Sequence, residues 1–179
     1  LRRRRRFGTV VSAMAGLVRF LRHLCADGRA VRRAFPERSL RAIEDAIAAE
    51  ERRHEGELRF VVEEALPLRA LLAGMSAHER AIELFSELRV WDTEQNCGVL
   101  IYLLLIDHRV EIVADRGIHR KVGQTAWESI CGAMQREFAA GRFEHGVILG
   151  VRAISDLLAT HFPPRGHAVD ELANRPVVL

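Results

Sequence analysis

Residues 91–117, WDTEQNCGVLIYLLLIDHRVEIVADRG, decide the fold of this 179-residue chain. Residues 99–106 are a short, nearly unbroken apolar run rich in branched side chains, which is typical of a strand buried on both faces. The polar turn at 107–109 leaves room only for a hairpin, so residues 110–114 are predicted to return antiparallel. The polar groups that precede the first strand and follow the second therefore meet at one edge of the sheet.

The rest of the chain predicts helices around this hairpin. Periodic apolar positions and turn residues indicate helices over about 8–26, 36–55, 76–88, 125–140 and 143–161, and a strand over 58–63. Capping boxes are expected at Ser76–Glu79 and Thr125–Glu128. The apolar face of the first helix consists of Val11, Met14, Val18 and Leu21, and that of helix 76–88 consists of Ile82, Phe85 and Leu88. A strand–helix–strand unit normally makes a parallel crossover. The chain is therefore predicted to be an α/β protein with a small mixed sheet and helices on both faces.

Composition narrows the function classes. An apolar fraction of 49% and a charged fraction of 28% are those of a globular protein. The three cysteines (Cys25, Cys97 and Cys131) lack the spacing of a disulfide framework or a thiolate zinc site and fit a reducing compartment. The net charge of +3 is exceeded by the arginines at positions 2–6. The remainder is slightly acidic, which argues against specific nucleic-acid binding.

The N-terminal region has two interpretations. Residues 9–18 are apolar and follow the arginines, as in a secretory signal, but Arg19, Arg22 and His23 continue the pattern as an amphipathic helix. The arginine arm is either solvated or in contact with anionic lipid or nucleic acid. No segment has the apolar length of a membrane span. We expect a cytoplasmic protein, at most peripheral to the inner face of the membrane, divided into a basic arm and helix (1–34), an α/β domain (35–165) and a loosely packed C-terminal extension (166–179).

Acids and an amide are predicted to gather at one sheet edge. If strand 58–63 runs parallel to strand 99–106, the residues before both strands share that edge with those that follow the hairpin. The proposed ligand set is Glu57, Asp92, Glu94, Asn96 and Asp115, with His54 and Arg116 nearby. Carboxylate and amide oxygens suit calcium or magnesium. The alternative is that Asp92 and Asp115 only cap helices or turns.

Several side chains are candidates for catalysis or for the core. The candidate catalytic residues are Asp92, Asp115, Arg116 and His119. Cys97 is either a nucleophile or, as its surroundings favour, a small buried residue. Trp91 and Trp127 are expected in the core, and Glu63 and Glu64 are expected to face solvent.

From about residue 35 to the C-terminus, the chain resembles the TPM domain family. The matching segments are 57–62, 96–105, 107–109, 110–117 and 143–150. The short motifs at 54–57 (His-x-Gly-Glu), 91–93 (Trp-Asp-Thr), 114–117 (Ala-Asp-Arg-Gly) and 174–179 are most similar to a short bacterial branch of that family.

The resemblance implies a three-layer α/β/α sandwich, divalent-cation binding, an acid phosphatase activity proposed for plant members, and a LemA-like membrane protein as a partner. Two family motifs differ here. Trp-Gly-x-Gly is replaced by Trp-Asp-Thr-Glu at 91–94, and Gly-x-Gly is replaced by Asp-Arg-Gly at 115–117. Acids therefore stand where glycines would let a backbone approach a ligand.

Two functional hypotheses follow. In the first, the domain is a non-catalytic module that binds a divalent cation at the loop edge for partner docking or for structural purposes. In the second, it is a metal-dependent phosphatase in which a metal-activated water attacks a phosphomonoester and Arg116 offsets the charge. The lack of an evident nucleophile favours the binding module.

Overall fold

The hairpin of residues 91–117 supplies one inner strand and one edge strand of the sheet. The computed structural model describes residues 16–164 and 171–179. Strand β2 (Gly98–Leu104) pairs antiparallel with β3 (Arg109–Ala114) and parallel with β1 (Glu57–Glu63). Every residue of β2 is buried, so the prediction of a strand covered on both faces is confirmed.

Two details of the sheet differ from expectation. The turn of the hairpin comprises residues 105–108, because Arg109 already pairs with Leu104. The C-terminal segment is more than a loose extension: β4 (Val177–Val178) pairs parallel with β1, and the sheet order is β3-β2-β1-β4. A two-residue strand has no periodicity, so the sequence offered no signal for it.

Helices cover both faces of the sheet, which makes the predicted three-layer α/β/α sandwich. The described helices are α1 (residues 16–24), α2 (Arg29–Ala34), α3 (Glu37–Glu51), α4 (Leu68–Leu72), α5 (Ala77–Glu87), α6 (Arg116–Val122), α7 (Gln124–Ala139) and α8 (Phe143–His161). Helices α3, α7 and α8 enclose one hydrophobic core, and α4 and α5 enclose the other. The short helices α2, α4 and α6 were not predicted, since they have too few turns to show a period.

One of the two predicted capping boxes is present. Ser76 and Glu79 cap α5 reciprocally, as expected. The prediction of a capping box at Thr125 and Glu128 is wrong, because α7 starts earlier, at Gln124. Its N-cap is Gly123, whose φ of 79° turns the chain directly out of α6.

Helix α1 is turned opposite to the expected orientation. The sequence predicted Val18 and Leu21 inward, but they are 55% and 48% exposed. Arg19, Arg22 and His23 face the body instead, where they contact the turn of the hairpin. The rest of the predicted stripe, Val11 and Met14, lies outside the described residues. None of the helices in the described ranges is long and apolar enough to cross a membrane.

Candidate functional site

The strand directions bring the predicted acids to one end of the sheet. Glu57, the first residue of β1, lies opposite Gly98, the first residue of β2. On the other side of β2, the Asp115 N–H donates to the Gly98 carbonyl at 2.9 Å. Glu57 and Asp115 therefore flank the same residue of the central strand, as the sequence predicted.

Two glycines hold the loop before β2 against its neighbours. A Cβ at Gly98 would lie 1.8 Å from the Val90 carbonyl oxygen, and one at Gly117 would lie 2.6 Å from the Asn96 carbonyl oxygen. Asn96 has a positive φ of 50°. These close approaches place the Asn96 backbone against the first turn of α6, beside Asp115.

Asp115 has two oxygens in different environments. One oxygen, Oδ1, accepts the Arg116 N–H, so Asp115 is the N-cap of α6. Asp115 therefore does cap a helix, as the alternative interpretation stated, but only one of its two oxygens is used for this. The other oxygen, Oδ2, is buried and has no hydrogen-bond partner among the described residues, and the whole residue is only 8% exposed. A buried acceptor without a partner costs about 1–3 kcal/mol.

The remaining predicted ligands are spread along the edge. Glu57 is buried and accepts the Leu172 N–H at 3.3 Å. Asp92, Glu94 and Asn96 are exposed. The Glu94 N–H donates to the carboxylate of Glu171 at 3.0 Å.

Glu171 therefore belongs to this edge, although the sequence reasoning did not include it, because the tail was expected to be loose. Within residues 16–164 and 171–179, no three His, Cys, Asp or Glu side chains form a group that could hold a metal ion. A cation here would have to use backbone oxygens and water in addition to a carboxylate.

Cys97 and His54, the thiol and the imidazole nearest this edge, are both enclosed by the protein. Cys97 is fully buried and its thiol donates to the Glu55 carbonyl at 2.9 Å, and burial raises its pKa to about 11. The interpretation of Cys97 as a small buried residue is confirmed. His54 is 1% exposed and accepts the Gly56 N–H, and burial lowers its pKa to about 4. At neutral pH the thiol is protonated and the imidazole is uncharged.

The candidates outside the core are Arg116, His119 and Trp91. Arg116 and His119 are exposed and lie one helical turn apart on α6, directly after Asp115. Trp91 is 49% exposed, so its predicted core position is wrong, whereas Trp127 is buried as expected.

The opposite end of the sheet carries a buried cluster that the sequence reasoning missed. Glu63 and Glu64 were expected to face solvent, but they are 3% and 7% exposed. Arg80 donates to both Glu63 oxygens at 3.1 and 3.2 Å, and the Tyr102 hydroxyl donates to Glu63 at 2.6 Å. Burial, followed by the charge of Glu63, raises the pKa of Tyr102. Burial opposes the charge of Arg80, but its hydrogen bonds to Glu63 and Glu83 raise its pKa overall.

The burial of Glu63 was not predicted because the buried face of α5 differs from the expected one. The sequence suggested Ile82, Phe85 and Leu88 as its buried face, yet Ile82 is 47% exposed. The residues that pack against the sheet are Ala77, Arg80, Ala81 and Leu84. Small alanines let the helix approach closely, which buries the arginine between them. An arginine flanked by alanines on a helix that follows a strand ending in Glu63 was the available signal.

Comparison with known proteins agrees with this architecture. The fold and the glycine-backed loop at the strand ends define a three-layer α/β/α domain with a candidate binding edge. The TPM domain family model matches residues 33–157, and the chain belongs to the TPM domain family.

Two solved structures are similar to the described chain. The NMR structure of the BA42 protein from the psychrophilic bacterium Bizionia argentinensis has a TM-score of 0.71 and 30% identity, covering 79% of this chain and 93% of that one. The N-terminal domain of a P. gingivalis protein, solved by solution NMR, has a TM-score of 0.55 and 18% identity over 69% of this chain and 76% of that one. The second likeness concerns the fold alone. No match is found among curated proteins.

Proposed function

We propose that this TPM domain is a binding module that takes up a hydrated divalent cation, calcium or magnesium. The site is the corner formed by Asp115, the Asn96 backbone and Gly117, here called the Asp115 corner. The cation would fix the loop of residues 92–97 for contact with another molecule. The observation that carries this proposal is the buried Oδ2 of Asp115, which has no hydrogen-bond partner among the described residues.

The oxygen atoms around this corner fit a hard cation. The Asn96 carbonyl lies against Gly117, two residues from Asp115. Calcium accepts carboxylate and backbone carbonyl oxygens, and magnesium usually keeps several waters and one or two carboxylates. Because no three acidic side chains of the described chain come together, we propose a hydrated, weakly held ion rather than an enclosed one. Since Oδ2 is itself buried, the ion would reach it only when the loop of residues 92–97 opens locally.

The chemistry of the nearby side chains supports binding over hydrolysis. Cys97 is enclosed with its pKa raised to about 11, so it carries almost no thiolate at neutral pH. His54 is enclosed as well. Neither side chain can reach an external substrate without a local opening of the fold.

The alternative function is a metal-dependent phosphatase acting on phosphomonoesters. It is favoured by one observation: Arg116 and His119 are both exposed and lie one turn apart beside Asp115. In that case Arg116 would bind the phosphate and His119 would transfer a proton. Turnover of a generic phosphomonoester separates the two functions.

The first experiment measures thermal unfolding during titration with calcium or magnesium chloride. A ligand that binds only the folded state at a hundredfold excess over its dissociation constant stabilises it by about 2.7 kcal/mol, or roughly 5–10 °C for a domain of this size. We expect the shift in the parent and in the control Asp45→Asn, an exposed acid on α3, but not in Asp115→Asn. A parent without a shift, or an equal shift in Asp115→Asn, contradicts the cation proposal.

The second experiment measures hydrolysis of p-nitrophenyl phosphate with added magnesium or calcium. The binding module predicts no turnover above that of the buffer. Turnover that is lost in both Asp92→Asn and Asp115→Asn, with the fold intact, would contradict the module and support the phosphatase.

A further inference from the structure

Within residues 16–164 and 171–179, no strand pairs with the outer side of β3. It is the terminal strand in the order β3-β2-β1-β4. Opposite residues of an antiparallel pair alternate between hydrogen-bonded and non-hydrogen-bonded pairs. Asp115 is hydrogen-bonded to Gly98, so the backbone groups of Val110, Ile112 and Ala114 point away from β2, toward this outer side. Val110 is only 3% exposed, and Ile112 and Ala114 are half-buried.

The neighbourhood of Ile112 agrees with this direction. Its N–H lies near the sulfur of Cys131 on α7 and slightly offsets the effect of burial on the pKa of that thiol. Burial raises the pKa of Cys131 to about 11, so the sulfur is a neutral thiol and only a weak acceptor. The Ile112 N–H is therefore available to a stronger acceptor, such as a peptide carbonyl.

The open edge lies in a slot between two helices. Helices α5 and α7 both pack beside β3, one in each layer. The cavity between them, the β3 slot, measures about 520 Å³. Its floor is formed by residues 110–114, and its walls include His78 and Ile82 of α5 and Trp127, Glu128, Cys131 and Gly132 of α7.

This edge lacks several of the features that normally prevent edge pairing. Proteins protect their edge strands with proline, charged side chains, bulges or a covering helix. Residues 110–114, VEIVA, contain no proline and one charged side chain, Glu111, and their pairing with β2 runs without a bulge. Helices α5 and α7 flank β3 but leave a slot between them. A regular strand at the bottom of a slot is a geometry by which sheets accept an added strand from a peptide.

The charge of the residues that line the β3 slot favours a basic peptide. It includes the carboxylates of Glu111 and Glu128, and none of its described residues is a lysine or an arginine. His78 contacts Glu111 at 3.2 Å but is itself mostly exposed. A basic residue would therefore be attracted to the floor at Glu111 and to the α7 wall at Glu128.

We propose that the β3 slot binds an extended peptide segment of a partner protein, which adds to β3 as a fifth strand. The segment alternates branched apolar side chains with at least one arginine or lysine. Its backbone pairs with Val110, Ile112 and Ala114. The slot uses atoms other than Asp115 Oδ2, so this proposal stands or fails independently of the cation.

The test uses a synthetic eight-residue peptide that alternates valine with threonine or arginine. Its control is a twin with proline at the two central valines, since proline cannot donate to the ladder and breaks a strand. Amide hydrogen exchange of the full chain is followed by NMR. We expect exchange at Val110, Ile112 and Ala114 to slow roughly tenfold or more with the peptide. The amides of Glu111 and Val113 already face β2 and should not change, and the proline twin should have no effect.

A variant in the slot wall separates specific docking from adsorption. A Cβ at Gly132 would have Arg136 Nη1 as its nearest neighbour at 3.7 Å, so Gly132→Arg is compatible with the helix. Its side chain would fill the slot and repel the basic peptide. We expect binding to weaken roughly tenfold or more, about 1.4 kcal/mol. Ser129→Arg, on the exposed side of the same helix, should leave binding unchanged.

Several outcomes would overturn the proposal. They are absence of binding, protection that does not alternate, equal binding of the proline twin, and no effect of Gly132→Arg. Protection of the three amides without peptide would also overturn it. If that protection disappears on dilution, the occupant is a second copy of the chain, and if it persists, the occupant is a segment of the same chain.

Discussion

The two ends of the sheet each bury a carboxylate, and they differ in what surrounds it. At one end, Arg80 and Tyr102 satisfy both oxygens of Glu63. At the other end, Asp115 has one oxygen in a helix cap and one without a partner among the described residues. Glu63, which is paired with a buried arginine, is part of the structural core. Asp115 has no such arginine and is our candidate for binding something from outside. Glu64, next to Glu63, is also buried and has one oxygen without a partner among the described residues, so an unpartnered oxygen is not restricted to the Asp115 end.

The largest effect on the free energy of unfolding is expected at the Glu63 end of the sheet. Arg80→Met leaves the buried charge of Glu63 without its partner and should lower the free energy of unfolding by about 3–5 kcal/mol. Urea denaturation measures this. The control is Arg152→Met, an exposed arginine whose nearest acid is 3.9 Å away, for which a change below about 1 kcal/mol is expected. Adding Glu63→Gln to Arg80→Met should recover stability, and a further loss would contradict the interpretation of the pair.

The second effect on stability depends on pH and comes from His54, at the Asp115 end of the sheet. Its folded pKa of about 4 lies below the usual 6.5. Between these values the unfolded chain binds a proton that the folded chain does not, so stability falls as pH drops from 6.5 to about 4. A difference of this size corresponds to roughly 3 kcal/mol at the lower limit.

Urea denaturation at pH 7 and at pH 4.5 tests this pH dependence. His54→Gln should remove most of this histidine's contribution, whereas His119→Gln, an exposed histidine, should retain it. If both variants and the parent lose stability equally on acidification, His54 is not the group responsible.

A smaller loss is expected from Tyr102→Phe. The change removes one hydrogen bond to Glu63 but leaves both contacts with Arg80. A hydrogen bond to a charged group contributes about 1.5–3 kcal/mol, so the urea midpoint should fall while the slope of the transition stays constant. A midpoint identical to that of the parent would mean that Arg80 alone satisfies Glu63.

The smallest effect on stability is expected from Asp115→Asn without divalent cations. Asparagine caps a helix about as well as aspartate does, and Oδ2 has no described partner to lose. We expect a change within about 0.5 kcal/mol, measured in buffer with a chelator. A loss as large as that of Arg80→Met would show that the two ends of the sheet are alike.

Sequence patterns predicted the structure correctly where the pattern lay within one stretch of the chain and was long enough to recognise. The run at 99–106 and the return at 110–114 predicted a central hairpin. The parallel partner 58–63 then predicted that Glu57 and Asp115 would flank the same strand, as they do. Ser76 and Glu79 likewise predicted the start of α5.

The patterns failed where burial depended on distant neighbours. Helix α5 buries Ala77, Arg80, Ala81 and Leu84, and Phe85 and Leu88 pack against the core in part. Of the predicted face, only Ile82 is exposed. The prediction for helix α1 failed more completely, because Asp107 pairs with Arg19 and His23 from a turn far along the chain. In both helices a charged side chain on the inner face finds its partner on a distant element.

By itself, the sequence determined the class of fold, the strand directions and the edge at which the acids meet, because alternation, apolar runs and turn residues act between near neighbours along the chain. Tertiary structure alone decided which acids are neutralised and which edge stays open. Arg80 reaches Glu63 only after α5 packs on the sheet, and β3 lies at the rim only because the C-terminal strand joins β1 instead. Burial and pairing of charges depend on residues far apart in the chain, and only the folded arrangement brings them together.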